Sequence, residues 1–333
     1  MVKVRNITGL LIAIFAACTI FSSLSYGGEK TDTNDDFYVS NFDFMYFADG
    51  KFNFYRLSDG KAITYEAEKG KIINYRFAPN SMVLYYCVCE GKKLILKSID
   101  FSQHNPKPVK VVDLGLKIDD CISETYGEYG ALVIKNDGSA IGIQHNFNWD
   151  VYGFDKVKIY YPNTGKLKDN GDWSIFFEGN PSVNYSDFEY RQDEDSDIGP
   201  YKLYYVNNGA NVCLSDKIDF DSMTQFEKER EEFEPYQYSP NGKYILYGAI
   251  LEWGDYPHGP YCIASLNGKY QLALEDTDIS QTSAVNWLDN GALIYVGTDQ
   301  QHNQCIKIVW PEKDKQPNVL IPNASDFLIM NVK

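Results

Sequence analysis

Residues 236–248 read YQYSPNGKYILYG, and this stretch decides the fold. Two aromatics at alternate positions, Tyr236 and Tyr238, lead into Ser239-Pro240-Asn241-Gly242-Lys243, and a second apolar run, Tyr244-Ile245-Leu246-Tyr247, follows. Pro240 presets its own φ and Asn-Gly tolerates positive φ, so the centre is a tight turn between two antiparallel strands. Weaker copies recur on both sides. Residues 42–47, 52–57 and 62–66 make a three-stranded meander with Asp49-Gly50 and Asp59-Gly60 turns. A second unit runs through 72–77, the turn Ala78-Pro79-Asn80-Ser81, 82–89, 94–99 and 109–114. The third has 131–134, a turn at Asn136-Asp137-Gly138, 140–144, 156–161 and a strand near 173–177. The fourth has 187–191, an acidic loop, 201–206, 211–215 and a last strand near Ile218. The fifth is the opening stretch with 261–265 and 270–274. The sixth has 284–287, Asp289-Asn290-Gly291, 292–296, 305–309 and 319–321, and 326–332 is a final lone strand. Residues 222–234 read as the one helix, with Met223, Phe226 and Phe233 on one face.

Turn positions Asn80, Asp137, Asn241 and Asp289, with the acidic loop near Asp195 between them, are spaced by 57, about 58, about 46 and 48 residues. Periods of about 40–50 residues with four strands each are the signature of a β-propeller. The first unit lacks one strand and the last strand stands alone. Together they make a closing blade shared by the N- and C-termini, so the expected fold is an all-β, six-bladed β-propeller of four-stranded antiparallel blades. A β-sandwich is the other all-β solution, but it does not explain why an orphan strand at one end matches a missing strand at the other. Aromatics at 15%, with 26 Tyr and 19 Phe, suit strands.

Ser239-Pro240-Asn241-Gly242-Lys243 followed by its apolar run resembles the Ser-Pro-Asp-Gly-Lys repeat of TolB-type propellers, which also occurs in the propeller domains of prolyl-peptidase-like proteins. Ala78-Pro79-Asn80-Ser81 keeps the Pro-Asn, Asn136-Asp137-Gly138-Ser139 the Asp-Gly, and Asp289-Asn290-Gly291 the acidic start and the Gly; the fourth unit replaces the turn with residues 193–199. The resemblance covers residues 38–333. It implies a six-bladed propeller, often periplasmic or surface-attached and often a protein-interaction platform. No hydrolase domain follows within this sequence, so a peptidase is not expected.

The N-terminus reads as a targeting segment. Lys3 and Arg5 precede an apolar run over 10–21, and small residues follow through Gly28. The expected organisation is a signal peptide over 1–25, a polar lead-in over 26–37 and the propeller over 38–333. The run is well short of the ~20 residues that span a bilayer. Phe15-Ala16-Ala17-Cys18 also resembles a lipoprotein box, so simple secretion and a lipid anchor at Cys18 both stand open. Either way the expectation is an exported protein, periplasmic or at the cell surface. A formal charge of −15 repels phosphate backbones and argues against nucleic acid. The expected partner is an envelope protein or a glycan.

Adjacent strands of a blade run in opposite directions, so the connections between second and third strands open on the same face as the blade-to-blade connectors. Three of the four histidines fall there, in 145–152 (HNFNWDVY), 252–258 (EWGDYPH) and 299–303 (DQQHN). The candidate ligand-binding residues are His145, Trp149, Asp150, Tyr152, Trp253, Asp255, Tyr256, His258 and His302. Aromatic faces stack on sugars or peptide side chains, while amides and carboxylates supply directional bonds. The blander reading is that the aromatics pack these loops down and the histidines are solvated at the rim. A binding module is expected ahead of the alternative, a lyase or lactonase acting on a sugar-like substrate. No nucleophile elbow and no His/Cys spacing for a metal occurs, so no catalytic residue and no cofactor is expected. Asp193, Asp195 and Asp197 alternate as in a calcium loop. The Gly comes one place late and the twelfth position is Tyr204 rather than Glu, which favours a solvated acidic turn. Among the six cysteines after Cys18, Cys89–Cys121 is the expected disulfide, with Cys87 as the substitute partner; Cys213, Cys262 and Cys305 read as buried thiols.

Overall fold

In the computed structural model, the side chains that define the 239–244 turn also close it. The Ser239 N–H bonds the Tyr244 carbonyl at 2.9 Å, and the Gly242 N–H bonds the Ser239 carbonyl at 2.8 Å. The Ser239 hydroxyl donates to Asn241 Oδ1 at 2.9 Å and its oxygen accepts the Tyr244 N–H at 3.0 Å, while Asn241 Oδ1 also takes the Lys243 N–H at 3.0 Å. Gly242 supplies the required φ of 64°. The same five bonds recur between Ser265 and Tyr270, through Asn267, Gly268 and Lys269. Ser-x-Asn-Gly-Lys-Tyr is therefore a self-satisfying turn, used twice in one blade.

The structure describes residues 39, 41–66, 70–123, 129–148, 153–169, 171–176, 183–192, 201–223, 232–253, 257–279, 285–314 and 316–330. The signal peptide and lead-in expected over 1–37, and the acidic loop with Asp193, Asp195 and Asp197, lie outside them. Among the described residues no helix is long and apolar enough to cross a membrane.

Among the described residues the strands form six blade sheets, all antiparallel, and one further two-stranded hairpin in the fifth blade. The second blade is Lys71–Phe77, Val83–Glu90, Lys93–Asp100 and Val109–Lys117. The third is Leu132–Ile134, Ile141–Asn148, Gly153–Tyr161 and Lys166–Lys168. The fourth is Phe188–Gln192, Tyr201–Tyr205 and Val212–Cys213. The fifth is Glu232–Tyr238, Tyr244–Ile250, Tyr261–Ser265 and Gln271–Leu274, and the sixth is Val285–Trp287, Leu293–Thr298, Gln304–Val309 and Asn318–Pro322. The first blade closes the ring as expected: Phe327–Ile329 pairs with Phe44–Ala48, which continues into Lys51–Arg56 and Lys61–Glu66. Phe44 faces Ile329, Met45 faces Leu328 and Tyr46 faces Phe327.

The burial pattern shows why these sheets stack as blades. Tyr244–Ile250 is buried at every position. Alternate residues of a strand point to opposite faces, and here they enter different cores. Ile245, Tyr247 and Ala249 pack with Phe188, Leu203 and Leu214 of the fourth blade, whereas Tyr244 and Leu246 pack with Trp287, Leu293 and Tyr295 of the sixth. Likewise the second and third blades share a core, and the sixth packs on the first. Phe52 of the first blade meets Tyr86 of the second at 5.9 Å. First strands of successive blades adjoin. Asn74 donates to the Gly130 carbonyl at 2.5 Å, and Tyr238 donates to Asp187 at 2.8 Å, as expected for strands around a central axis. The chain is an all-β six-bladed propeller.

Four local expectations are corrected. Residues 232–234 of the expected helix are strand, with Phe233 buried against Phe220 and Tyr247; Phe226 lies outside the described residues. Met223 and Phe233 do enter one core, but by way of a short 3₁₀ turn at Phe220–Ser222 and a strand. The third blade's fourth strand is Lys166–Lys168, because Gly165 at φ 65° turns the chain back at once. Trp173–Phe176 is a 3₁₀ turn. The fourth blade has three strands among the described residues, and Ile218 packs on the core outside them. Finally, Cys87, Cys89 and Cys121 are free thiols. Cys87 and Cys121 share a core, where burial and then the neighbouring Cys121 push the Cys87 thiol up, and burial pushes Cys121 up to about 12. The Cys89 thiol turns away to the Gly91 carbonyl. Cys213, Cys262 and Cys305 are free as well, with Cys262 and Cys305 fully buried and Cys213 partly so.

Candidate functional site

The second-to-third hairpins of the third, fifth and sixth blades carry the three histidines toward one end of their strands, His145 within the strand itself. In the third blade the hairpin is longer than expected. His145 lies within Ile141–Asn148, directly opposite Lys156. Trp149, Asp150 and Tyr152 fall outside the described residues. The extension is held by Asp155, which accepts Asn146 Nδ2 at 2.6 Å and Asn148 Nδ2 at 3.0 Å. These two bonds pull the Asp155 carboxyl below its ordinary range. His145 is a strand residue whose Nε2 is buried with no hydrogen-bond partner among the described residues. Burial lowers its pKa first, then Lys158 and Lys156; Asp120 and Asp169 act in the opposite direction.

This predicts a pH signature. With its folded pKa depressed, His145 leaves stability intact above about pH 6.5, its unfolded value. Below that the unfolded chain takes up the proton first, and stability falls toward the folded pKa. Urea midpoints of wild type and His145→Leu at pH 7.5 and pH 5.5 check it: the variant should gain on wild type as pH drops. A constant difference between the two would contradict it.

In the fifth blade a small hairpin, Glu252–Trp253 with Pro257–His258, projects beyond the sheet. Asp255 and Tyr256 lie outside the described residues, and for Trp253 only the backbone is described. A side chain on Gly259 would collide with the Ala249 carbonyl, so glycine is what lets the hairpin return to the blade. His258 Nδ1 sits 2.9 Å from Asp278 Oδ2. A carboxylate can only accept, so Nδ1 carries the proton and points at Asp278, leaving Nε2 as the ring's outward edge. The His258 side chain is 37% exposed and that of Asp278 19%. Asp278 also accepts the Gly259 N–H at 3.3 Å, and the Gly259 carbonyl takes the Ile279 N–H at 2.8 Å.

Asp278 belongs to the connector between the fifth and sixth blades. Two residues earlier, Asp276 accepts the Tyr295 hydroxyl at 3.0 Å, the Thr298 N–H at 2.9 Å and Lys307 Nζ at 2.7 Å. Between them Thr277 Oγ1 accepts the Tyr261 N–H at 2.9 Å. Alternate residues of this connector thus grip different blades, and His258 is held by the same segment that joins them. The run Glu275-Asp276-Thr277-Asp278 was the sequence signal for it: four consecutive polar residues between two apolar strands.

In the sixth blade His302 occupies the tip of a turn, exposed and at φ 62°. Asp299 builds that turn by accepting the N–H groups of Gln301 and Asn303 at 2.8 and 2.9 Å. Those bonds, led by Asn303, lower its pKa. Among the described residues no hydrogen bond or ion pair links one of the three histidines to another. Nor do three or more His, Cys, Asp or Glu side chains gather as a metal site among those residues.

Comparison with known proteins adds likeness in shape alone. No family model matches the chain, and no curated protein matches it in sequence. Among solved structures it is similar to TolB from Acinetobacter baumannii, at 13% identity and a TM-score of 0.40, over 95% of this chain and 73% of that one. A TolB candidate from Agrobacterium tumefaciens gives 11% identity and a TM-score of 0.37, over 84% of this chain and 91% of that one. Hydrazine synthase from Kuenenia stuttgartiensis gives 13% identity and a TM-score of 0.34, over 84% and 79%. The propeller assignment rests on strand order and blade packing, not on these likenesses.

Proposed function

We propose that the protein is an exported binding module of TolB-like form that presents its second-to-third connections to an envelope protein or a glycan. The supporting observation is the His258–Asp278 pair: a part-exposed imidazole on a projecting hairpin, oriented by a carboxylate from the blade junction. A side chain pre-oriented in this way loses little entropy on binding. In this reading Trp149, Asp150, Tyr152, Trp253, Asp255, Tyr256 and His302 extend the recognition face, while His145 supports its hairpin from within the strand. Export, with or without a lipid at Cys18, brings this face to the envelope.

The test is capture from the native envelope fraction with wild type, Trp149→Ala/Trp253→Ala and His258→Ala/His302→Ala. Partners lost from the variants are the expected result; identical partner sets would mean that these loops only pack. The same pair is also the arrangement of a general base, so a lyase or lactonase is the second reading. Turnover of sugar acids or lactones that Asp278→Asn abolishes would favour it. Mass spectrometry of the mature N-terminus distinguishes plain secretion from lipidation.

A further inference from the structure

A second set of side chains meets at the first-strand edge of the fourth and fifth blades. Glu234, Gly248 and Tyr261 lie side by side across the fifth blade's first three strands. Gly248 leaves a hollow that Tyr236 fills, since a Cβ there would stand 2.8 Å from Tyr236 Cε2. The Tyr236 ring meets Tyr261 at 5.5 Å between centroids, and its hydroxyl donates to Glu234 Oε2 at 3.1 Å. Tyr190 approaches from the fourth blade. It shares a strand face with Phe188, which packs on the fifth blade through Tyr238. Burial, then the charges of Glu234 and Tyr185, push the Tyr190 phenol up. Burial followed by Glu234 does the same at Tyr236 and Tyr261. Tyr185, which also acts on Tyr236, and Tyr190 are 51% and 48% exposed, so two rings stand open at this edge. Glu234 is itself exposed, and among the described residues its polar partner is the Tyr236 hydroxyl and none is a cation.

We propose that this edge binds an organic cation, an alkylammonium or guanidinium group seated among Tyr185, Tyr190, Tyr236 and Tyr261 with its charge against Glu234. Ring faces are negative and attract cations, and a nearby carboxylate adds a charge-assisted partner. A formal charge of −15 draws cations toward the molecule from a distance. A polyol would use the rings but not the charge. The site does not depend on the histidine loops, because Glu234, Tyr236 and Tyr190 lie on first strands.

The test is calorimetric titration of the full chain with choline, the neutral tert-butyl isostere of choline, acetyl-lysine amide, acetyl-arginine amide and glucose. A cation should bind about tenfold more tightly than the neutral isostere, and Glu234→Gln should remove about that factor while leaving the melting temperature unchanged. Tyr185→Ala and Tyr190→Ala should each weaken the cation several-fold, and Val319→Ala should change nothing. Choline binding without the amino-acid amides marks a small amine; binding of the amides without choline marks a basic side chain of a peptide. Both outcomes support the cation site. Equal binding of the isostere or glucose, no binding of any cation, or unaltered affinity in Glu234→Gln would overturn it. Envelope capture by the histidine loops can fail without changing any of these results.

Discussion

Asp276→Ala is expected to destabilise the protein by about 3 kcal/mol, the lower end of the cost of breaking a buried ion pair, because this pair is partly buried and the carboxylate also holds two further donors. Three donors converge on this carboxylate: the Tyr295 hydroxyl, the Thr298 N–H and Lys307 Nζ. Tyr295 is fully buried, and the Lys307 side chain is 16% exposed, so water cannot replace the lost acceptor well. The space is shaped to the carboxylate as well, because a side chain on Gly297 would collide with Asp276 Oδ2. Asp276→Asn keeps the shape and one acceptor, and should cost less than the alanine. Urea denaturation at pH 7 measures both. A loss below about 1 kcal/mol for the alanine variant would place Asp276 among ordinary surface ion pairs. The connector carrying Asp276 also carries Asp278, so the variant should loosen His258 too, seen as faster amide exchange at Gly259.

Phe327→Ala should be at least as damaging, at about 3–5 kcal/mol for a fully buried phenylalanine. Phe327 is 2% exposed and packs edge-on to Phe44 at 6.2 Å, within the core that the first blade shares with the sixth. It lies on the strand that joins the two ends of the chain, so the cavity opens where the ring is closed. Val319→Ala provides the contrast. Val319 is 50% exposed on the sixth blade's last strand, and its loss should stay within about 0.5 kcal/mol. Thermal melts of the two variants should therefore separate clearly; similar midpoints would mean that closure contributes little.

The turn chemistry was legible because it is local. Ser239, Asn241 and Gly242 satisfy one another within six residues, so the motif announces its hairpin without any help from the rest of the chain. Closure was legible because a strand count needs only the pattern. The expected helix over 222–234 failed because Phe233 obeys two rules at once: it fits a helical face with Met223, and it also fits an alternating strand. Only the core it enters, against Phe220 and Tyr247, chose between them. The disulfide failed for a related reason. Spacing placed Cys89 near Cys121, but Cys89 lies near the end of its strand, only partly buried, with its thiol bonded to the Gly91 carbonyl, while Cys87, two residues further in, shares the core with Cys121.

The sequence by itself determined the architecture: repeated Asn-Gly and Asp-Gly turns, alternating aromatics and an orphan strand at one end that matches a missing strand at the other are short-range signals that sum to a six-bladed ring. Only the tertiary structure decided which polar groups meet. Asp278 reaches His258 across 20 residues, and Tyr238 reaches Asp187 at the next blade across 51, because stacking sheets around an axis juxtaposes positions that no periodicity relates. Backbone pairing follows from local preference, whereas a site is a coincidence of separate strands and exists only once the ring has closed.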